Sequence, residues 1–352
     1  MIRFILSVLL LLAASAASAQ TMVHPLVIAH RGASGERPEH TRAAYELAID
    51  QGADFIEPDL VMSRDGALIV RHENEIGGTT DVAAHLEFAN RRTTQTIDGQ
   101  TVTGWFTEDF TLAELKTLRA RERLPEVRPA NTAFDGQDQI LTFQEVIDIA
   151  RDGSARTGRT IGVAPELKHP SYFAGRGLPM EAPFLAALAA NALMASSSPI
   201  IVQCFEVDTL KSLNQRTDAR LLQLMAAEGG PADQPALTYA AMATPEGLAG
   251  IAAYADFIGV DVALIEPRDG NGAAEPPTAL IADAHAAGLK VVGWTFRAEN
   301  RFLPVGDRRG DATDVDFPRL HGDLAGQLKR FYALGIDAVF SDFPGLAATV
   351  RP

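Results

Sequence analysis

Four apolar runs carry ionisable residues at or near one end. Leu26–Ala29 ends in His30-Arg31. "DFIEPDLVM" carries Glu57 and Asp59, and its strand is expected to end at Glu57-Pro58-Asp59 because Pro58 lacks an N–H; "ALIVRHE" ends in Arg71-His72-Glu73, and "TIGVAPELK" ends with Glu166 and Lys168. Residues two apart in a strand share a face, so Glu57 sits with Asp59 and Glu166 with Lys168. Three carboxylates converging from two neighbouring strands repel one another unless a cation lies between them. Oxygen-only ligands suit Ca²⁺ or Mg²⁺ better than zinc. No cysteine cluster or His-x-x-x-His pair offers a transition-metal site. Gln203, Phe205, Trp294 and Asp342 also stand in or just after apolar runs. Taken singly, each of these is an ordinary strand end, and His72 alone an ordinary buried histidine. Their recurrence at the same end of successive runs asks for a fold that brings those ends together.

The runs alternate with helical patterns. "LVIAH", "DFIEPDLVM", "TIGVAPELK", "PIIVQCF", "ARLLQLM", "DFIGVD", "LKVVGWTF" and "IDAVFSDFP" read as strands, with "ALIVRHE" as a side strand of the second unit. Between most of them lie amphipathic stretches such as "TRAAYELAIDQG", "VDTLKSLNQ" and "DLAGQLKRFYALG". Gly288 and Gly335 stand where helix C-caps belong. Continuous Val/Ile/Leu runs alternating with helices predict a parallel sheet covered by helices, and eight units predict a (β/α)8 TIM barrel. An open doubly wound sheet is the rival, but no Gly-rich phosphate loop follows the first strand. In a barrel, chemistry collects at the C-terminal ends of the strands, where these polar residues lie.

Residues 77–140 break the rhythm. They are polar and rich in Arg and Thr, and they read as a small subdomain inserted between the second strand and the helix "TFQEVIDIAR". Within them "TLAELKTLRARE" predicts a short helix, with Arg119, Arg121, Arg123 and Arg128 on a solvated face. His40 is expected to be structural and His169 to point away from the side of Lys168. His285 falls on a helix, and His24, His85 and His321 fit loops. The acidic loop 306–316 lacks the spacing of an EF-hand.

The chain has 352 residues, 47% of them hydrophobic, and a net charge of −14. Such an acidic chain lacks the basic footprint of a nucleic-acid binder, and an anionic substrate would need local cations to offset the repulsion. Residues 1–19, "MIRFILSVLLLLAASAASA", have the form of a secretory signal peptide, with cleavage expected before Gln20. The apolar core is too short for a membrane anchor, and small residues follow it at once. Export to the periplasm or beyond is therefore expected, with no stable membrane anchor. Cys204 is the only cysteine, which excludes an intrachain disulfide.

Together, His30-Arg31-Gly32 with Pro38-Glu39-His40-Thr41, Glu57-x-Asp59, His72, Glu166-x-Lys168, "VQCF", "GWTFR" and "SDFP" resemble the glycerophosphodiester phosphodiesterase family, in its order, from about residue 26 to 345. "GASGERPEHT" and the leader look most like exported bacterial members. The resemblance implies a single TIM-barrel phosphodiesterase domain over 26–350, carrying the inserted unit. It also implies one divalent cation on Glu57, Asp59 and Glu166, with Ca²⁺ favoured over Mg²⁺ by export, and two catalytic histidines, His30 and His72. The implied reaction releases sn-glycerol 3-phosphate and an alcohol from small deacylated phospholipids. Arg31 and Lys168 would hold the phosphate. Gln203, Phe205 and Trp294 would line the substrate site, the two rings packing on the glycerol carbons. Nothing in these motifs reads the alcohol, so similar rates on different headgroups are expected. Two other readings stay open: phospholipase D-like cleavage of lysolipids, and a binding protein that captures glycerophosphodiesters without cleaving them.

Overall fold

The computed structural model describes residues 24–352, so the leader expected over residues 1–19 lies outside the described residues. Among the described residues there are thirteen strands: β1 (Leu26–His30), β2 (Phe55–Glu57), β3 (Asp59–Met62), β4 (Leu68–Val70), β5 (Thr93–Ile97), β6 (Gln100–Gly104), β7 (Gly162–Val163), β8 (Glu166–Leu167), β9 (Ile201–Cys204), β10 (Arg220–Met225), β11 (Phe257–Asp261), β12 (Lys290–Phe296) and β13 (Ala338–Ser341). Apart from the antiparallel side strand β4 and the separate β5–β6 hairpin, all pair in parallel.

Two prolines explain why the eight expected runs become more than eight strands. Pro58 separates β2 from β3, and Pro165 separates β7 from β8, because proline has no N–H to give the ladder. The chain stays extended across both gaps. Glu166 N–H donates to the Pro58 carbonyl at 2.9 Å, and Gln203 N–H to the Pro165 carbonyl at 2.9 Å. With each split pair counted as one strand, the pairings run from β1 through β2/β3, β7/β8, β9, β10, β11, β12 and β13 back to β1. The architecture is TIM-barrel-like.

Alternation along the strands sorts side chains into two layers. Ile28, Phe55, Ala164, Ile201, Leu222, Phe257, Val292 and Phe340 fill the inside of the sheet, one from each of the eight runs. Val27, Ala29, Ile56, Val202, Val291 and Val339 face the helices. The helix Arg42–Asp50 packs with Ala44, Tyr45, Ala48 and Ile49 buried. Gly32 needs its freedom: its φ is +86°, and a Cβ there would meet the Ala44 carbonyl carbon at 2.7 Å.

Three expectations need correction. Strand 2 does not end at Glu57-Pro58-Asp59. It continues to Met62 and changes partners at Pro58, β2 pairing with β1 and β3 with β4. "TLAELKTLRARE" is helical only over Leu112–Leu115, with a Thr111/Glu114 capping box. The three-residue spacing of Leu112, Leu115 and Leu118 mimics a helix. Beyond it Ala120 bridges to Thr80 and Arg119 to Gln139, which holds the chain extended. Finally, His169 does not follow the alternation of β8. It takes a left-handed conformation, φ 48°, before the helix that starts at Pro170, and it lines the central cavity.

Candidate active site

Strand register does most of the positioning. His30 pairs with Glu57 across β1 and β2, Asp59 with Glu166 across β3 and β8, and Glu166 with Gln203 across β8 and β9. Polar side chains therefore converge over one end of the sheet, at a cavity of about 450 Å³. It is lined by His30, Arg31, Glu57, His72, Glu166, Lys168, Gln203, Phe205 and Trp294. Of the ten site residues named from the sequence, only Asp59 does not line it. Asp59 is buried directly behind, 3.4 Å from Lys168 Nζ.

Glu57, Asp59 and Glu166 are all buried, and one oxygen from each lies within 4.8 Å of the others. Burial pushes the Glu57 carboxyl well above its usual range, Asp59 adding to the push. Burial also takes Glu166 up to about 8. Asp59 is held well below the usual range by Lys168, by the hydrogen bond from His40 and by Arg31, against the cost of burial. Lys168 Nζ stands 2.7 Å from Glu166 Oε1, out of alignment for a hydrogen bond, and Glu166 Oε1 and Asp59 Oδ1 are left without a donor. Crowded carboxylates with orphaned oxygens fit a divalent cation, which would supply the missing charge. The rest of the triad is oriented: Arg31 N–H donates to Glu57 Oε2 at 2.7 Å, and Gln203 Nε2 to Glu57 Oε1 at 3.3 Å. His40 Nε2 meets Asp59 Oδ2 at 2.9 Å and its Nδ1 meets the Tyr45 hydroxyl at 2.8 Å, a structural role.

His30 and His72 each have a carboxylate on Nδ1: Asp342 on His30 at 2.6 Å and Glu73 on His72 at 2.5 Å. A carboxylate only accepts, so both Nδ1 atoms carry the hydrogen and both Nε2 atoms are free acceptors. Burial takes His30 down to about 4 and His72 to about 3, with Arg31 adding to both and Lys168 to His72. Both imidazoles are neutral near pH 7 in the free site.

Behind each carboxylate stands an arginine from the 77–140 segment. Arg128 Nη2 donates to Asp342 Oδ2 at 2.5 Å, and its Nε to Glu299. Arg123 Nη1 donates to Glu73 Oε1 at 2.8 Å, and Nε to Glu39 Oε2 at 2.7 Å. The solvated helix face expected for these two arginines is therefore overturned. They are drawn in because buried carboxylates need them. Only Arg121 of the four is mostly exposed, beside Asp135. Arg31 also differs from expectation: Nη1 donates to Glu39 at 2.8 Å and Nε faces Asp59 at 3.3 Å, so two of its nitrogens already face carboxylates. Arg128→Met should cost about 3–5 kcal/mol in a urea titration, since Glu299 and Asp342 would lose a buried partner. A loss below about 1 kcal/mol would mean that Arg297, 3.0 Å from Asp342, replaces it.

Glu39, Glu73, Arg123, Arg128 and Arg297 were not named from the sequence as site residues. Glu39 and Glu73 adjoin named motifs. Arg128 lies 214 residues from Asp342, and no local pattern marks that pairing.

The family model described as "Glycerophosphoryl diester phosphodiesterase family" matches residues 30–346. Glycerophosphodiester phosphodiesterase GDPD6 of Arabidopsis thaliana is 35% identical over 91% of this chain and 84% of its own length. A glycerophosphodiester phosphodiesterase of Haemophilus influenzae is 30% identical over 60% of this chain and 59% of its own length. The solved structure of an Oleispira antarctica phosphodiesterase, in complex with the product sn-glycerol-3-phosphate, aligns with a TM-score of 0.59 at 22% identity, over 93% of this chain and 96% of that one. The fold, the ordered motifs and these matches together place the chain in the glycerophosphodiester phosphodiesterase family.

Proposed function

We propose that this protein is a metal-dependent hydrolase of glycerophosphodiesters, releasing sn-glycerol 3-phosphate and an alcohol. One observation carries the reading: two imidazoles, each with Nδ1 on a carboxylate, share a cavity with an acidic triad, Arg31 and Lys168. Glu57, Asp59 and Glu166 would hold one divalent cation, Ca²⁺ in preference to Mg²⁺. When bound, that ion neutralises the phosphoryl oxygens as charge builds on them. Arg31 and Lys168 add positive charge at the same oxygens. His30 Nε2 takes the proton of the attacking hydroxyl, which is the glycerol's own 2-hydroxyl. The bond from phosphorus to the leaving oxygen breaks, and His72 gives that oxygen its proton. His72 acquires this proton as the anionic phosphodiester enters, because negative charge offsets the burial that keeps the imidazole neutral. Water then attacks the cyclic phosphate and the bond from phosphorus to the 2-oxygen breaks; His72 takes the water's proton and His30 returns its own to the 2-oxygen, leaving the phosphate on the 3-oxygen. Phe205 and Trp294 pack against the carbons of the substrate, and Gln203 holds Glu57. Residues 77–140 act as a small inserted unit whose Arg123 and Arg128 brace both histidines from behind.

We also read the chain as an exported, periplasmic or secreted form. Intact mass of the protein recovered outside the cytoplasm should correspond to a start at Gln20, and a start at Met1 would overturn this reading. Among the described residues no helix is long and apolar enough to cross a membrane. The activity is tested by incubating the purified protein with glycerophosphocholine and Ca²⁺ and following sn-glycerol 3-phosphate with a coupled dehydrogenase. Binding without release would favour a capture protein. Turnover of lysophosphatidylcholine in place of the deacylated diester would favour the phospholipase D-like reaction.

A further inference from the structure

The wall of the cavity is chemically divided. Trp294, Arg297 and His30 stand over β12 and β1. His169, Phe205, Glu206 and Tyr239 stand past the ends of β8, β9 and β10, joined by Asp98 from the tip of the β5–β6 hairpin. Of this second arc, only Phe205 enters the chemistry above. It begins beside the phosphate-binding cations, with Lys168 Nζ 5.9 Å from the centre of the Phe205 ring. Phe205 then meets Tyr239 edge-on at 6.0 Å and Trp294 at 5.9 Å, a contiguous aromatic surface. Tyr239 is only 5% exposed and lines the cavity.

Acid lies next to these rings. Glu206 is 3% exposed and lines the cavity. It accepts from the Ser171 N–H at 2.9 Å and the Ser171 hydroxyl at 2.8 Å, and among the described residues it pairs with no Lys or Arg. Burial pushes its carboxyl up to about 7, and Asp233 and Asp98 push the same way. Asp98 bonds only to His169 Nδ1, at 2.5 Å. Aromatic faces beside carboxylates that lack an arginine or lysine are complementary to an ammonium group, which the rings attract through their quadrupoles and the acids through charge.

We propose that Phe205, Tyr239, Glu206 and Asp98 form a subsite for the alcohol half of the diester that selects alcohols carrying an ammonium group, as choline and ethanolamine do, over neutral ones. This rests on the hydrolase reading for where the phosphate sits. It replaces the expectation of equal rates on all headgroups, which followed from motifs that act only on the phosphate and glycerol half. His72, assigned to protonate the leaving oxygen, and Asp98 line the same cavity.

The test is kcat/KM for glycerophosphocholine, glycerophosphoethanolamine and glycerophosphoglycerol, with the wild type and with Glu206→Gln, Asp98→Asn, Tyr239→Leu and Tyr239→Phe. Asp98 has a positive φ, 47°, which asparagine tolerates, so that variant changes the charge alone. The wild type should favour the choline diester over the glycerol diester by about tenfold or more, as a desolvated cation–π contact with charge behind it allows. Glu206→Gln and Tyr239→Leu should each bring that ratio below about threefold, Asp98→Asn should lower it less, and Tyr239→Phe, which keeps the ring, should preserve it. A ratio between two substrates of one preparation is insensitive to the folded fraction. Equal wild-type rates on the charged and neutral diesters would overturn the subsite and leave the hydrolase reading intact. So would a wild-type preference that survives both Glu206→Gln and Tyr239→Leu. Hydrolysis of none of the three diesters would overturn the hydrolase reading, and the subsite with it.

Discussion

His72→Ala is expected to lose a hundred- to ten-thousandfold in kcat/KM on glycerophosphocholine, the range typical of a lost general acid, and far less on a glycerophosphodiester whose leaving group is p-nitrophenol. A good leaving group departs without a proton. His30→Ala should be crippled on both substrates, because the attacking hydroxyl must lose its proton whatever leaves. The structure sharpens the contrast by giving each histidine the same Nδ1 support, Asp342 for His30 and Glu73 for His72. Different failures would then reflect position relative to phosphorus rather than different tautomers. The reverse pattern, with His30→Ala rescued by the activated diester, would exchange the roles. Near-wild-type rates in either variant would remove that residue from the chemistry. Metal content and thermal unfolding, measured alongside, separate lost catalysis from lost structure.

The second large effect concerns the acidic triad, and its sign differs with and without metal. Glu166→Gln should reduce bound cation from one per chain to a small fraction. It should also reduce kcat/KM by more than about a hundredfold, since even the outer partners of metal ligands are worth ten- to a hundredfold. Without added metal the same variant should unfold at a higher temperature than the wild type. Burial and Asp59 raise the Glu166 carboxyl to about 8, so its charged form is costly beside Glu57 and Asp59, and glutamine relieves that cost. Added Ca²⁺ should then stabilise the wild type and leave the variant unchanged. If Ca²⁺ raised the melting temperature of both equally, Glu166 would not be a ligand.

Much of this site was legible because strand alternation is a local rule. Glu57 with Asp59 and Glu166 with Lys168 could be paired from spacing alone, and the apolar runs marked which end of the sheet they share. The sheet order then followed from the eight units. What was not legible depends on long-range charge balance. The arginines at 123 and 128 look like a solvated face when read beside their neighbours. They are drawn inward by Glu73, Glu39, Asp342 and Glu299, contributed by four other segments. His169 was misplaced because alternation stops where the backbone turns left-handed. Pro58 was read as a strand end because it cannot donate, whereas the strand continues beyond it with a new partner. Tyr239 and Glu206 went unnoticed as cavity residues because neither sits in a motif, and only the closure of the sheet brings the ends of β9 and β10 to the cavity.

The buried triad and the two histidines are proposed to form one metal-dependent phosphodiesterase centre. The most direct measurement is ³¹P NMR of glycerophosphocholine with the purified protein, first in excess chelator and then with Ca²⁺ restored. The diester resonance should persist in chelator. With Ca²⁺ it should be replaced by that of sn-glycerol 3-phosphate. Conversion at the full rate in excess chelator, or phosphocholine as the phosphorus-bearing product, would contradict that proposal.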